Sequence, residues 1–120
     1  MRVLIVESSP ELARLWSRHL RRQGAQVQVA DSQSAAIEWL RDNTVDIMVL
    51  DLVLETGSAF AVADFVSYSQ PSARVIFVTN TTFFSDGSIF QHIPNACAFL
   101  PSATSPEDLA AVVDHYAVTH

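Results

Sequence analysis

The amino-acid sequence predicts an α/β fold in which five parallel strands alternate with five helices. Short, continuous runs of apolar residues recur along the chain, as strands buried on both faces of a sheet require. Segments with a helical spacing of apolar residues separate these runs, and several begin at a serine or aspartate that can cap a helix. Strands and helices that alternate in this way form a parallel sheet with helices on both faces.

Chain length and composition indicate one globular domain. We expect a single domain over residues 1–120, because this length is close to the commonest domain size. Hydrophobic residues make up 49% and charged residues 17%, which excludes a disordered chain. The net charge of −6 argues against direct binding of nucleic acid. Arg18, Arg21 and Arg22 gather near the end of the first predicted helix, and we interpret them as a solvated helix end.

Cysteine content and hydropathy predict a cytoplasmic location. Cys97 is the single cysteine, which excludes an internal disulfide and fits a reducing compartment. Its apolar surroundings favour a core thiol over a nucleophile. No apolar run approaches the roughly 20 residues of a membrane-spanning helix, so we expect no contact with membranes.

The first strand and helix have clear boundaries in the sequence. Residues 3–6 are a short apolar run, as expected for a central strand. Ser8 or Ser9 can cap the helix that follows, and Pro10 suits its first position. Gly24 ends this helix.

The next two strands differ in character. Residues 26–30 alternate polar and apolar side chains, which predicts a strand with one wetter face at a sheet edge. Asp31 or Ser32 caps the second predicted helix. Residues 46–51 are the strongest central-strand signal in the chain.

The second half of the chain predicts two further strands and up to three helices. Gly57 and Ser58 lead into a helix that ends before Pro71, and residues 75–79 form another continuous strand. Residues 80–95 have the weakest pattern, with a short helix expected over 85–92. Two elements complete the chain: a short strand over residues 98–100 and a helix that starts at residues 105–108.

Polar side chains follow three of the predicted strands directly. Glu7 and Ser8 come after the first strand, Asp51 ends the central strand, and Thr79 ends the fourth. The carboxyl ends of parallel strands form the ligand-binding edge of such sheets. Two carboxylates there form a hard oxygen site of the kind that holds Mg²⁺, and with a nearby hydroxyl they suit acceptance of a phosphoryl group. The alternative, acids that are simply solvated at loop edges, stays open on spacing alone.

Several segments, taken in order, are similar to one known family. The chain resembles the receiver domain of response regulators from end to end. The similarity rests on the segments 4–12, 45–54, 55–58, 75–79, 98–102 and 105–109. The resemblance implies a flavodoxin-like, doubly wound (βα)5 sheet with strand order 2-1-3-4-5. It also implies a role in two-component phosphorelay signal transduction, as a protein–protein signalling switch or adaptor and not as an enzyme.

The resemblance assigns roles to particular positions. Asp51 would be the phosphoacceptor, and Glu7 the first member of the acidic pair that holds the metal. The backbone carbonyl of Val53 would complete the metal shell. Thr79 would be the switch hydroxyl, and Phe99 the aromatic side chain that moves with it.

Two positions depart from the family pattern. Ser8 stands where the second acid and principal metal ligand normally lies, and Ser102 stands where the family has a lysine. All seven basic residues are arginines, so no lysine elsewhere in the chain can take that place. We therefore expect weak Mg²⁺ binding and weak or absent phosphorylation, as in a pseudo-receiver. The alternative is a working phosphoacceptor, a relay member or phosphate sink, that uses Mg²⁺ with Glu7 and Thr79.

The family also suggests partners. We expect a sensor histidine kinase or another signalling protein to bind this domain. A homodimer is a second expectation, formed through the face of the predicted fourth helix, last strand and fifth helix. The apolar residues expected on this partner surface are Phe83, Phe84, Ile89, Phe90 and Ile93.

Three enzyme or cofactor-binding alternatives fit the sequence less well. A haloacid-dehalogenase-type phosphatase needs a second aspartate two residues after the nucleophile, and a cobalamin-binding module needs a histidine there. That position is Val53. A flavodoxin-like flavin carrier needs a phosphate-binding loop after the first strand, but residues 7–10 contain no glycine and include an acid.

Overall fold

A five-stranded parallel sheet with the order β2-β1-β3-β4-β5 organises the protein. The computed structural model describes residues 1–79 and 93–118. The elements in chain order are β1 (Arg2–Val6), α1 (Pro10–Arg22), β2 (Gln26–Ala30), α2 (Gln33–Asp42), β3 (Ile47–Asp51), α3 (Ala59–Ser69), β4 (Arg74–Thr79), β5 (Ala96–Pro101) and α4 (Pro106–Val118). The predicted fold class and strand order are confirmed. The helix predicted over 85–92 lies outside the described residues, and α4 is the helix that the sequence predicts as the fifth.

Alternate residues of the central strands pack into two separate cores. Leu4 and Met48 belong to the core that α2 and α3 cover, whereas Ile5 and Val49 belong to the core under α1 and α4. All four side chains have 0% of their surface exposed. Side chains alternate across a strand, so a strand with helices on both faces needs apolar residues at every position. This is why the continuous apolar runs identified central strands.

Serine side chains cap the N-termini of the described helices, as the sequence suggests. Ser9, rather than Ser8, caps α1 by accepting a hydrogen bond from the backbone N–H of Leu12 (3.4 Å). Ser32, rather than Asp31, does the same for α2. Ser8 is therefore available for a different contact near the carboxyl ends of the strands.

One residue of the predicted partner surface lies inside the protein. Ile93 is only 3% exposed and packs in the core under α2 and α3, so its inclusion in that surface was wrong. An apolar side chain at this position gains more from burial against the core than from exposure on a surface. Phe83, Phe84, Ile89 and Phe90 lie outside the described residues.

Two further sequence-based expectations concern Cys97 and membranes. Cys97 is partly buried against the core under α1 and α4, and burial raises the pKa of its thiol to about 11. The thiol therefore stays protonated at neutral pH, as expected of a packing residue. Within residues 1–79 and 93–118, no helix combines the length and apolar character needed to cross a bilayer.

Candidate functional site

Glu7 and Asp51 meet at the carboxyl edge of the sheet. β1 and β3 are neighbours, and Val6 pairs with Leu50, so the residues that follow them stand side by side. Glu7 is 3% exposed, and its backbone N–H donates to the carbonyl of Ala30 (3.0 Å). The strand order reverses at this point, which is where ligands bind in open α/β sheets.

The electrostatics of Glu7 depend on its carboxyl neighbour. Oε2 accepts a hydrogen bond from the backbone N–H of Ser9 (3.1 Å), whereas buried Oε1 has no donor among the described residues. Burial, and then the contact with the Asp51 carboxyl group, raise the pKa of Glu7 to about 7. Two carboxylates can hydrogen bond to each other only when one carries a proton. Near neutral pH, Glu7 is therefore balanced between a protonated form that can bond to Asp51 and an ionised form that favours a nearby cation.

The oxygen atoms of this carboxyl pair are the type of ligand that a hard cation prefers, but the pair provides few of them. A buried, unpartnered carboxyl oxygen beside a second carboxyl group matches the oxygen ligands that Mg²⁺ prefers. Oδ1 of Asp51 accepts from the backbone N–H of Val53 (2.9 Å), which orients the carboxyl group at the end of β3. Across both described ranges, no group of three or more His, Cys, Asp or Glu side chains is placed to hold a metal ion.

Ser8 is hydrogen bonded to two loops. Its Oγ accepts from the backbone N–H of Glu55 (2.9 Å) and can donate to the carbonyl of Asp31 (3.5 Å). The hydroxyl thus joins the loop after β3 to the loop after β2. An aspartate could replace the first bond but not the second, because a carboxylate only accepts. Sequence reasoning treated Ser8 as a candidate helix cap and as a lost charge, and it missed this contact.

The loop after β3 is also anchored on α2. The side-chain Oε1 of Gln33 accepts from the backbone N–H of Ser58 (2.7 Å), and its backbone N–H donates to Thr56 (3.3 Å). Gly57 lies between these contacts with a φ of +89°, and a Cβ there would sit 2.4 Å from that of Gln33. A glycine is required here for both reasons. The glycine was the only sequence signal for this anchor, and Gln33 itself was not identified.

The remaining predicted site residues lie along β4 and β5. Thr79 ends β4 with 1% of its surface exposed, and its carbonyl accepts from the backbone N–H of Ser102 (2.8 Å). Ser102 thus follows β5 directly beside the end of β4, while Leu100 pairs with Val78 inside the sheet. Phe99 is partly buried against the core under α2 and α3.

The structure therefore brings some predicted residues together and separates others. Glu7, Ser8 and Asp51 share one crevice, and Asp51 pairs with Val78, one residue before Thr79. Ser102 reaches this edge through the backbone of Thr79. The crevice therefore contains the carboxyl groups of Glu7 and Asp51, the Ser8 hydroxyl and the loop after β3 that this hydroxyl holds.

Comparison with protein families gives one match that spans most of the chain. The family model described as the response regulator receiver domain matches residues 3–112. No curated protein sequence matches this chain significantly.

Solved structures share the fold at low sequence identity. The non-phosphorylated HemR receiver domain from Leptospira biflexa aligns with a TM-score of 0.88 and 22% identity, covering 99% of this chain and 95% of that one. A CheY-like response regulator receiver domain protein from Methanospirillum hungatei has a TM-score of 0.88 at 16% identity, over 97% and 92% of the two chains. The response regulator TrrA from Thermotoga maritima, solved in complex with Mg²⁺-BeF, has a TM-score of 0.83 at 18% identity, over 96% and 97%.

Proposed function

This chain belongs to the response regulator receiver domain family, and we propose that it is a two-component signalling switch with a degenerate phosphoacceptor site. In this proposal the domain acts through protein–protein contacts, and phosphorylation of Asp51 is weak or absent. The observation that carries it is the composition of the crevice. Its acid pair is Glu7 and Asp51, Ser8 is engaged in holding two loops, and the chain contains no lysine.

In this proposal, Asp51 at the end of β3 occupies the position of the nucleophile that accepts the phosphoryl group. Phosphorylation would form a bond between a carboxylate oxygen of Asp51 and phosphorus while the bond from phosphorus to the donor's leaving group breaks. The Val53 N–H holds one of the Asp51 oxygens. The protein must also neutralise the charge on the phosphoryl oxygens, because positioning and electrostatics supply most of the catalysis in this reaction.

Magnesium binding is expected to be weak at this site. Glu7 and Asp51, with the carbonyl of Val53, are the groups that would hold Mg²⁺, which when bound would offset the charge of the phosphoryl group. Ser8 supplies no charge, and its oxygen is already hydrogen bonded to the Glu55 N–H. A site for Mg²⁺ relies on carboxylate charge to compete with the ion's tightly held water.

The missing lysine weakens the acceptor chemistry further. The Ser102 hydroxyl offers at most a neutral hydrogen bond, roughly half as strong as a charge-assisted one. Loss of one well-placed donor costs about 3 kcal/mol of transition-state stabilisation, or roughly a hundredfold in rate. Thr79 and Phe99 keep the switch positions, but the cation that would link a phosphoryl group to them is absent. We therefore infer that this domain signals through partner binding rather than through its own phosphorylation.

One observation favours a working acceptor as the second candidate. Oε1 of Glu7 is buried without a donor next to Asp51, an arrangement that costs stability and that a bound cation would relieve. In this alternative the domain accepts phosphate as a relay member or phosphate sink, with Glu7, Asp51 and Thr79 as its site.

Intact mass after incubation with Mg²⁺ and acetyl phosphate distinguishes the two candidates. Absence of a phosphate adduct, also with histidine kinases as donors, supports the degenerate site. An adduct that is lost in Asp51→Asn establishes the working acceptor instead.

The partners we propose are a sensor histidine kinase or another signalling protein, or a second copy of this chain. The face available for a homodimer includes β5 and α4. The four phenylalanine and isoleucine residues assigned to this face outside the described ranges remain a prediction.

A further inference from the structure

A groove of about 980 Å³ lies between α1, the edge strand β2 and the start of α2. Four of the seven basic residues of the chain line it, namely Arg14, Arg18, Arg21 and Arg22. Its volume is within the range of small-molecule binding sites. Glu7 and Ser8 line one end, so the groove begins beside the candidate phosphoacceptor site.

The arginine positions are not explained by the polarity of the helix alone. Arg21 and Arg22 lie in the last turn of α1, where the helix dipole favours cations, but Arg14 and Arg18 lie in earlier turns. None of the four forms an ion pair with an acid in the part of the chain that the structure describes. Arg21 donates from Nη2 to the carbonyl of Val27 (3.2 Å), which holds it against β2. In a domain of net charge −6, this stripe concentrates positive charge at one groove.

Ser17 supplies a second, independent observation in the same groove. This residue lines the groove and is 4% exposed, and its Oγ has no hydrogen-bond partner among residues 1–79 and 93–118. A serine inside a helix normally bonds to the carbonyl four residues earlier or points to water. Rotation about one side-chain bond is sufficient to reorient its hydroxyl. Its Oγ is itself buried, so this rotation must turn the hydroxyl towards the groove, where it would donate to a phosphate oxygen.

The rest of the groove indicates the shape of the ligand. Val29 is 36% exposed on the β2 side, and Ala30 and Ala35 add apolar surface beside it. Asp31 lies towards the acidic end, so that end suits a hydrogen-bond donor such as a ring N–H or an amino group. The groove therefore combines an arginine-lined wall on α1 with apolar surface and a carboxyl group on the β2 side.

We propose that this groove binds a nucleotide, with its phosphates at the α1 arginines and Ser17 and its base towards Val29 and Asp31. Guanidinium groups recognise phosphate through paired hydrogen bonds. The proposal does not depend on whether Asp51 accepts phosphate. Because Glu7 and Ser8 belong to both sites, a bound nucleotide would contact the residues that shape the acceptor crevice.

Isothermal titration calorimetry of the full chain with ATP and GTP, in the presence of a chelator, tests the proposal. The chelator prevents binding through a metal at Glu7 and Asp51. We expect nucleotide binding that weakens as salt rises. Arg18→Gln should lower the affinity about tenfold or more, whereas Arg41→Gln, on α2 outside the groove, should leave it unchanged.

Ser17→Ala separates binding from folding. We expect lower nucleotide affinity with an unchanged or higher melting temperature, because the hydroxyl has no partner in the free protein. Pyrophosphate and the unphosphorylated nucleosides serve as further ligands. Equal affinity for pyrophosphate and nucleotide would overturn the assignment of the base. No binding of either nucleotide at millimolar concentration, or equal losses in Arg18→Gln and Arg41→Gln, would overturn the site.

Discussion

The side-chain oxygen of Ser8 lies 2.9 Å from the backbone nitrogen of Glu55, 47 residues later in the chain. The same hydroxyl is 3.5 Å from the carbonyl oxygen of Asp31. This chain uses a neutral group at position 8 to connect the loops after β2 and β3. In the proposed degenerate site, the residue that leaves the crevice without a third carboxylate is also the one that holds these two loops together.

Restoring an acid at position 8 should improve metal binding and reduce stability. In Ser8→Asp we expect the free energy of unfolding to fall by about 1–2 kcal/mol at low salt with a chelator, because a third carboxylate joins Glu7 and Asp51 and the contact with the Asp31 carbonyl is lost. Mg²⁺ affinity should rise at least tenfold, and saturating Mg²⁺ should recover the stability. Urea unfolding with and without Mg²⁺ measures both effects.

Ser8→Ala is the matched control for that experiment. It removes the contact with Glu55 without adding charge, so stability should fall by about 1 kcal/mol while Mg²⁺ affinity stays unchanged. If Ser8→Asp unfolds with the same free energy as the native chain at low salt without Mg²⁺, carboxylate repulsion is not a factor in this crevice.

Stability should fall as the pH rises, because of Glu7. The folded-state pKa of about 7 lies above the ordinary value of 4.5, so the folded protein binds the proton more tightly than the unfolded chain. This contribution is fully present below pH 4.5 and is lost as the pH rises through 7, by roughly 3 kcal/mol in total. Urea unfolding in chelator at about pH 5 and pH 8 measures the loss.

Glu7→Gln isolates this contribution from the other titrating groups. The variant should lose less stability than the native chain between the two pH values, and it should be the more stable protein at the higher pH. A native chain and a Glu7→Gln variant with parallel pH profiles would show that Glu7 titrates normally.

Acceptor activity should return when both missing groups are restored. In the double variant Ser8→Asp, Ser102→Lys, we expect acetyl phosphate to modify Asp51 at least a hundredfold faster than in the native chain, with Mg²⁺ present. The rate of adduct formation by intact mass tests this, with Asp51→Asn in the same background as the control. A double variant as slow as the native chain would place the defect elsewhere in the crevice.

The loop after β3 should be sensitive to substitution at its glycine. Gly57→Ala must adopt a φ of +89° and place its Cβ 2.4 Å from that of Gln33, so we expect a loss of about 2–3 kcal/mol. Gly24→Ala is the comparison, since Gly24 has a φ of +90° but nothing within 4 Å of a Cβ. Its loss should be about 1 kcal/mol, and the difference between the two reports the contact with Gln33. Equal losses in urea unfolding would mean that the contact is relieved without cost.

The parallel sheet could be predicted from the sequence because its signals are local. Continuous apolar runs marked the central strands, and serines next to helical patterns marked the helix starts, within a residue or two of where the structure has them. The positions of Glu7, Asp51 and Thr79 at the ends of strands followed from the same runs. The resemblance to receiver domains supplied the strand order, and the structure confirms it.

Contacts between residues far apart in the chain were decided only by the tertiary structure. Ser8 bonds to Glu55, Gln33 bonds to Ser58, and Ile93 is buried under α2 and α3. No local pattern encodes these contacts, because each depends on how segments distant in the chain approach once the sheet has formed. The arginines of α1 are a further case. The sequence shows a basic helix, and only the packing of that helix beside the edge strand β2 turns it into the wall of a groove.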